Sequence, residues 1–265
     1  GLARVSAHLR CCLPPSGEME TDMQGRAPAS AGSLIAKLAA ALISVTVSCG
    51  PSAAGNSPPD KLRDGFFKVV FGLEYGRHHG DSQRVKKYTE TVRFHVINHA
   101  RENRTATVQE FILSLPGKVP GLRSMLVRDR EKANFTIFLV DREDFSHVVS
   151  RELRADAVAM GARCLVGVRT RSGRILSSTA VIVADDPYLF QRCMVEEILQ
   201  GLGPMNDNAT LSESVFNDSS RHTDFTSFDQ ALMRMLYHPS IRPGMTGSEV
   251  HQLLPQVFVD LGFYR

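Results

Sequence analysis

The sequence predicts an α/β domain, and three observations carry that prediction. Segments with the alternation or the short continuous apolar run of a strand are interleaved with segments whose apolar residues recur every three to four positions. Two strand-like runs flank the polar turn Ser172-Gly173. The second of them leads into a long helical segment that opens on Pro187. The composition is that of an ordinary globular chain, 43% hydrophobic and 22% charged over 265 residues, unlike a disordered tail or a collagen-like rod. A net charge of +3, no Trp and 7% aromatic residues leave neither a basic stripe nor a stacking platform, so no nucleic-acid partner is expected.

In chain order, residues 1–22, with Cys11 and Cys12, carry neither the pattern of a folded element nor a signal's charged start. They read as upstream sequence, with Met19 or Met23 as a sensible start. Residues 23–48 read as a signal peptide: Leu34 to Ser48 holds one charge, Lys37, and then eleven uncharged residues, short of the roughly 20 that span a bilayer. Small residues precede Cys49, and the Pro/Ser/Gly/Asn tract PSAAGNSPP follows it. That order resembles a bacterial lipoprotein signal, which implies cleavage before Cys49 and a diacylglyceryl anchor on its sulfur. Thr46 stands where such signals usually carry an aliphatic residue. A plain cleaved secretory signal and a retained apolar helix are the alternatives. Residues 49–60 then form a flexible linker, and residues 61–265 one domain without internal repeats.

Inside that domain, Leu62 to Glu74 carries a helical stripe of Phe66, Val69, Val70 and Leu73, and residues 76–83 form a His/Gly/Asp loop. Thr91 to Ile97 alternates as a strand, and Thr105 to Leu115 places Val108, Phe111, Ile112 and Leu115 on one helix face. Phe135 to Val140 is almost wholly apolar, as in a strand covered on both faces. Residues 164–184 form a hairpin. The helix from Pro187 to Gly203 has Val195, Ile198, Leu199 and Leu202 as its apolar stripe, Glu196 and Gln200 on another face, and Gly203 at the expected C-cap, with Pro204 beyond.

The spacing Glu196-Glu197-x-x-Gln200-x-x-Gly203-x-x-Asn206-Asp207 resembles the zincin and metzincin signature His-Glu-x-x-His-x-x-Gly-x-x-His, with each metal-binding histidine replaced. Ser214-Val215-Phe216-Asn217-Asp218 resembles the turn beneath the metal in metzincins, and Leu232 to Tyr237 their C-terminal helix. Together with Cys193, with Val85-Lys86-Lys87-Tyr88 and with Tyr237-x-Pro239-x-x-Arg242-Pro243-Gly244-Met245, these runs are similar to a bacterial exported family of unknown function. That family is generally placed among zincin-like folds. The resemblance implies a zincin-like mixed sheet carrying a degenerate site helix.

In such a site, residues four apart on a helix grip one ion. Here Glu196 is a competent ligand, whereas the amide carbonyls of Gln200 and Asn206 are poor ones for zinc and better suited to a hard cation or to hydrogen bonding. Glu197 keeps the general-base position, yet water without an activating ion keeps its bulk acidity. No cofactor is therefore expected. Glu196, Glu197, Gln200, Asn206 and Asp207, supported by Asn217 and Asp218, are read as a polar cluster that fixes the helix–loop junction. The alternative is a peptidase-like hydrolase with Glu197 as base and zinc or calcium on Glu196, Gln200 and Asn206. A two-carboxylate mechanism without metal is disfavoured, because Glu196 and Glu197 point about 100° apart on a helix.

His78-His79, His222 and His238 are weaker ligand candidates. Arg169, Arg171 and Arg174 read as solvated hairpin ends. There is no GxSxG, GxGxxG or Walker-type loop. Cys164 and Cys193 are the only cysteines after Cys49, and in an oxidising envelope they are expected to pair. The expectation is thus an exported, lipid-anchored envelope protein facing the periplasm, or a periplasmic or secreted one. Its partners are the membrane, through the anchor, and an envelope protein or peptide ligand.

Overall fold

The computed structural model describes residues 2–7 (backbone), 59–71, 83–217 and 219–264. The segment read as a signal peptide, the residues from Cys49 to residue 58, the loop with His78 and His79, and Asp218 lie outside the described residues.

The chain is α/β, built on a mixed sheet in the order β1-β5-β6-β4-β2-β3. Its strands are β1 (Leu2–Ala7), β2 (Val92–Asn98), β3 (Ser124–Leu126), β4 (Phe135–Val140), β5 (Cys164–Arg171) and β6 (Arg174–Val183). β2 pairs in parallel with β3 and β4, and β4 in parallel with β6. β5 turns back antiparallel to β6, as a hairpin through a two-residue turn must, and β1 pairs antiparallel with β5. β1 falls in a stretch where the sequence pattern showed no element; its run LARVSA alternates only loosely.

The apolar run of β4 is explained by its place between β2 and β6: Phe135 and Ile137 to Val140 are buried. Helices α1 (Pro59–Val70), α2 (Thr105–Lys118), α3 (Arg142–Leu153), α4 (Ala157–Met160), α5 (Pro187–Gln200), α6 (Ser227–Leu236) and α7 (Gly247–Asp260) complete the domain. α2 packs on β2 and β3, α3 on β4, β5 and β6, and α5 on β5 and β6, while α1 lies against α6 and α7. Among the described residues no helix is long and apolar enough to cross a membrane.

Three boundaries differ from the sequence reading, each for a local reason. α1 begins at Pro59 and ends at Val70, because Pro59 suits a first helical turn. α2 runs past Leu115 through Pro116 to Lys118. The proline withdraws one N–H from the ladder, and the Ile112 carbonyl instead accepts from Ser124 Oγ at 3.4 Å. α5 stops at Gln200, with Gly201 as its cap in the right-handed region, so Gly203 is not the cap.

Gly203 serves another purpose. Its φ is 145°, and a Cβ there would meet the Lys86 carbonyl oxygen at 2.4 Å and Leu236 at 2.7 Å. Only glycine lets the residue 83–91 segment approach so closely. That segment stitches distant parts together: Val85 N donates to Met245 O at 2.8 Å, Gly244 N to Val85 O at 2.9 Å and Lys87 N to Gly173 O at 3.1 Å.

Candidate functional site

α5 owes its start to Asp186, whose Oδ1 accepts from Leu189 N at 3.0 Å while Pro187 takes the first helical position. That hydrogen bond, with Arg142 nearby, holds the Asp186 carboxyl below the usual range. The amphipathic surface helix implied by one apolar stripe is not what forms. Every residue from Arg192 to Gln200 is buried, and the side chains of Arg192, Glu196, Glu197 and Gln200 are fully so. Disulfide Cys164–Cys193, with Cα atoms 5.9 Å apart, ties the start of β5 to the middle of α5 as expected.

Polar side chains in such a place must find partners. The Arg192 Nε lies 3.5 Å from Glu196 Oε2, one turn along the helix. Its Nη2 donates to the carbonyls of Val215 (3.3 Å) and Asn217 (3.0 Å), and Nη1 to those of Ser220 (3.2 Å) and His222 (3.1 Å). One guanidinium thus gathers the whole loop that resembles the sub-metal turn. Asp229 completes this grip from the other side. Its carboxylate accepts from Ser214 Oγ at 2.5 Å, Val215 N at 3.1 Å and Thr226 Oγ1 at 2.7 Å, while Thr226 caps α6 by accepting from Asp229 N. Burial pushes the Asp229 carboxyl up to about 6, against the pull of those donors.

The three positions that would hold a metal do not act together. Glu196 faces Arg192, Gln200 Nε2 donates to Asp207 Oδ1 at 2.8 Å, and Asn206 Nδ2 donates to the carbonyl of Lys68 in α1 at 2.7 Å. With the bond from Met205 N to Val69 O at 3.0 Å, Asn206 closes the C-terminal carbonyls of α1. Asn217 donates to Ala209 O and Leu211 O at 3.3 and 3.1 Å. The single polar cluster expected from the spacing is therefore divided among separate junctions, one of which joins Gln200 to Asp207 directly. Glu197 is buried on the same helix, and a polar contact engages it as well.

This donor set does not fit the zinc of the hydrolase alternative: the one carboxylate at a ligand position has a guanidinium beside it, and the side-chain carbonyls of Gln200 and Asn206 are poor zinc ligands. Among the described residues no three His, Cys, Asp or Glu side chains converge as ligands would. His222 Nε2 lies 3.0 Å from Ser212 O, and His238 Nε2 lies 3.4 Å from Asp260.

Residues 59–256 match the model of a family described as a protein of unknown function, DUF2927. The chain belongs to that family. The DUF2927 match runs from the first residue of α1 into α7 and includes the whole of α5 and its loop. Comparison with curated proteins and with solved structures gives no match.

Arg192 and Asp229 are not among the expected site residues of the DUF2927 sequence, although each carries a local signal. Arg192 precedes Glu196 by four on a helix, the spacing of an ion pair. Thr226-x-x-Asp229 has the form of a helix start. Lys87 belongs to the Val85-Lys86-Lys87-Tyr88 run. Its Nζ donates to the carbonyls of Leu236 (2.7 Å) and Ile241 (2.8 Å), capping the C-terminus of α6, and stands 5.1 Å from the Tyr237 ring.

Proposed function

We propose that this domain is a zincin-like scaffold whose metal site has been given over to structure. It acts in binding or architecture at the cell envelope, carried there by a lipid on Cys49. The observation that supports the reading most directly is the commitment of Glu196, Gln200 and Asn206 to three different protein partners, two of them holding the loop and α1 in place. A mixed sheet whose last strand feeds the motif helix, followed by a turn gathered beneath that helix, agrees with the zincin-like resemblance. The Cys164–Cys193 disulfide suits an oxidising compartment.

The deciding experiment is a metal titration of the full chain, with peptide hydrolysis measured in parallel. No stoichiometric zinc or calcium and no hydrolysis above a Glu197→Gln control are expected. Stoichiometric metal lost in Glu196→Ala and Gln200→Ala, with hydrolysis that depends on Glu197, would establish the hydrolase instead. For the anchor, Cys49→Ala is expected to release the protein from the membrane fraction; unchanged fractionation removes that part of the reading.

A further inference from the structure

The backbone junction that stitches residues 83–91 to the hairpin turn and to the residues before α7 also forms an open concavity of about 430 Å³ lined by Arg84, Arg174, Arg242 and Glu249. The three arginines come from three chain segments far apart in sequence. They are brought together by the bonds Val85 N to Met245 O, Gly244 N to Val85 O and Ile175 N to Lys87 O, at 2.8, 2.9 and 3.0 Å. Crowding at Gly173 shows how closely these segments meet: a Cβ there would lie 2.1 Å from Gly244 N and 2.5 Å from Val85 O. Arg84 Nη1 donates to Gly244 O at 2.9 Å, which fixes its direction.

The charge in this concavity is unbalanced. The ion pairs of the domain engage other arginines, such as Arg101, Arg104, Arg130 and Arg142, and among the described residues none engages these three. Glu249, the one carboxylate in the lining, offsets part of this charge and is held in place by the α7 capping box: its Oε2 accepts from Thr246 N at 2.7 Å and Oγ1 at 2.9 Å. Those bonds hold its carboxyl low, and the charges of Arg84 and Arg242 add to the effect. Three guanidinium groups against one carboxylate leave an excess of positive charge on one concave surface, which favours entry of an anion. Guanidinium forks match phosphate oxygens two at a time.

We propose that Arg84, Arg174 and Arg242 form a binding site for a phosphate-type oxyanion, free or in a lipid headgroup. This site is separate from α5 and stands whether or not α5 is degenerate. A smaller cavity of about 140 Å³ shares Thr89 and Arg174 and adds Arg93 with Glu90, so a ligand longer than one phosphate has a continuation past the N-terminal ends of β6, β4 and β2.

Inorganic pyrophosphate titrated into the full chain at low salt tests it by calorimetry. Saturable binding is expected, weakening with salt, at least tenfold weaker in the Arg174→Gln/Arg242→Gln double variant and unchanged in Arg63→Gln on α1. Thermal melts of each variant separate a lost site from a lost fold, and Arg174→Lys/Arg242→Lys should restore part of the affinity. Vesicles of phosphatidylglycerol against phosphatidylcholine distinguish the source. A preference for the anionic vesicles that is lost in the double variant assigns a headgroup, and pyrophosphate binding without that preference assigns a soluble ligand. Absence of both, or equal pyrophosphate binding by the double variant, overturns the proposal.

Discussion

Asp229 does two jobs with one carboxylate: it fixes the loop at Ser214 and Val215, and through Thr226 it fixes the start of α6. Because burial raises its carboxyl to about 6 from an ordinary 3.8, the folded chain takes up this proton before the unfolded chain does. The sign follows by linkage. The stabilising contribution of this group grows as pH falls through about 6, is complete below about 4, and is absent above about 7. Relative to Asp229→Asn, the parent should therefore gain about 1 kcal/mol in denaturant unfolding between pH 7 and pH 5. An unchanged or reversed difference would show that the donors, and not burial, govern this carboxyl.

At the scale of elements, the two glycine environments allow a paired comparison. Gly203→Ala forces a Cβ against the Lys86 carbonyl, with no flexible side chain to give way there, and should lower stability by about 2–4 kcal/mol. Gly117, near the end of α2, has nothing within 4 Å of a added Cβ. Gly117→Ala should raise stability by about 0.5–1 kcal/mol, since only the helix preference and the unfolded chain are affected. Melting curves of the two variants check both signs at once.

Elements were also where the sequence was most readable. β2, β4, the β5–β6 hairpin and the start of α5 stood out because their period or turn chemistry is local. α3 and α7 carried equally local signals, Phe145, Val148 and Val149 at helical spacing and the Thr246–Glu249 box, which passed unread. β3 has three residues and exists through pairing with β2. What sequence spacing could not convey was direction. Asn206 turns to α1 and Glu196 to Arg192, and those choices depend on elements more than 100 residues apart in the first case and on complete burial of the helix in the second.

For the molecule as a whole, the Cys164–Cys193 bond closes a loop with a sequence separation of 29, a constraint worth about 3 kcal/mol in the chain-entropy view. Both cysteines are fully buried, so an alkylating reagent should label the reduced protein only as it unfolds. Cys164→Ala/Cys193→Ala should melt roughly 6–12 °C lower than the oxidised parent. A melting temperature insensitive to both reductant and the double variant would mean that the sheet and α5 hold together without the bond.

The stitching of residues 84–87 to Gly173 and to residues 244–246 has a consequence in time. A ribosome or a secretion channel delivers a chain from its N-terminus. Here residues 84–87 meet one partner, the β5–β6 turn, about 90 residues later and the other, residues 244–246, about 160 residues later. Short local contacts close cheaply, whereas this one waits for nearly the entire domain. Until residue 246 is free, the bonds of Val85 to Gly244 and Met245 cannot form, so this junction closes late in synthesis.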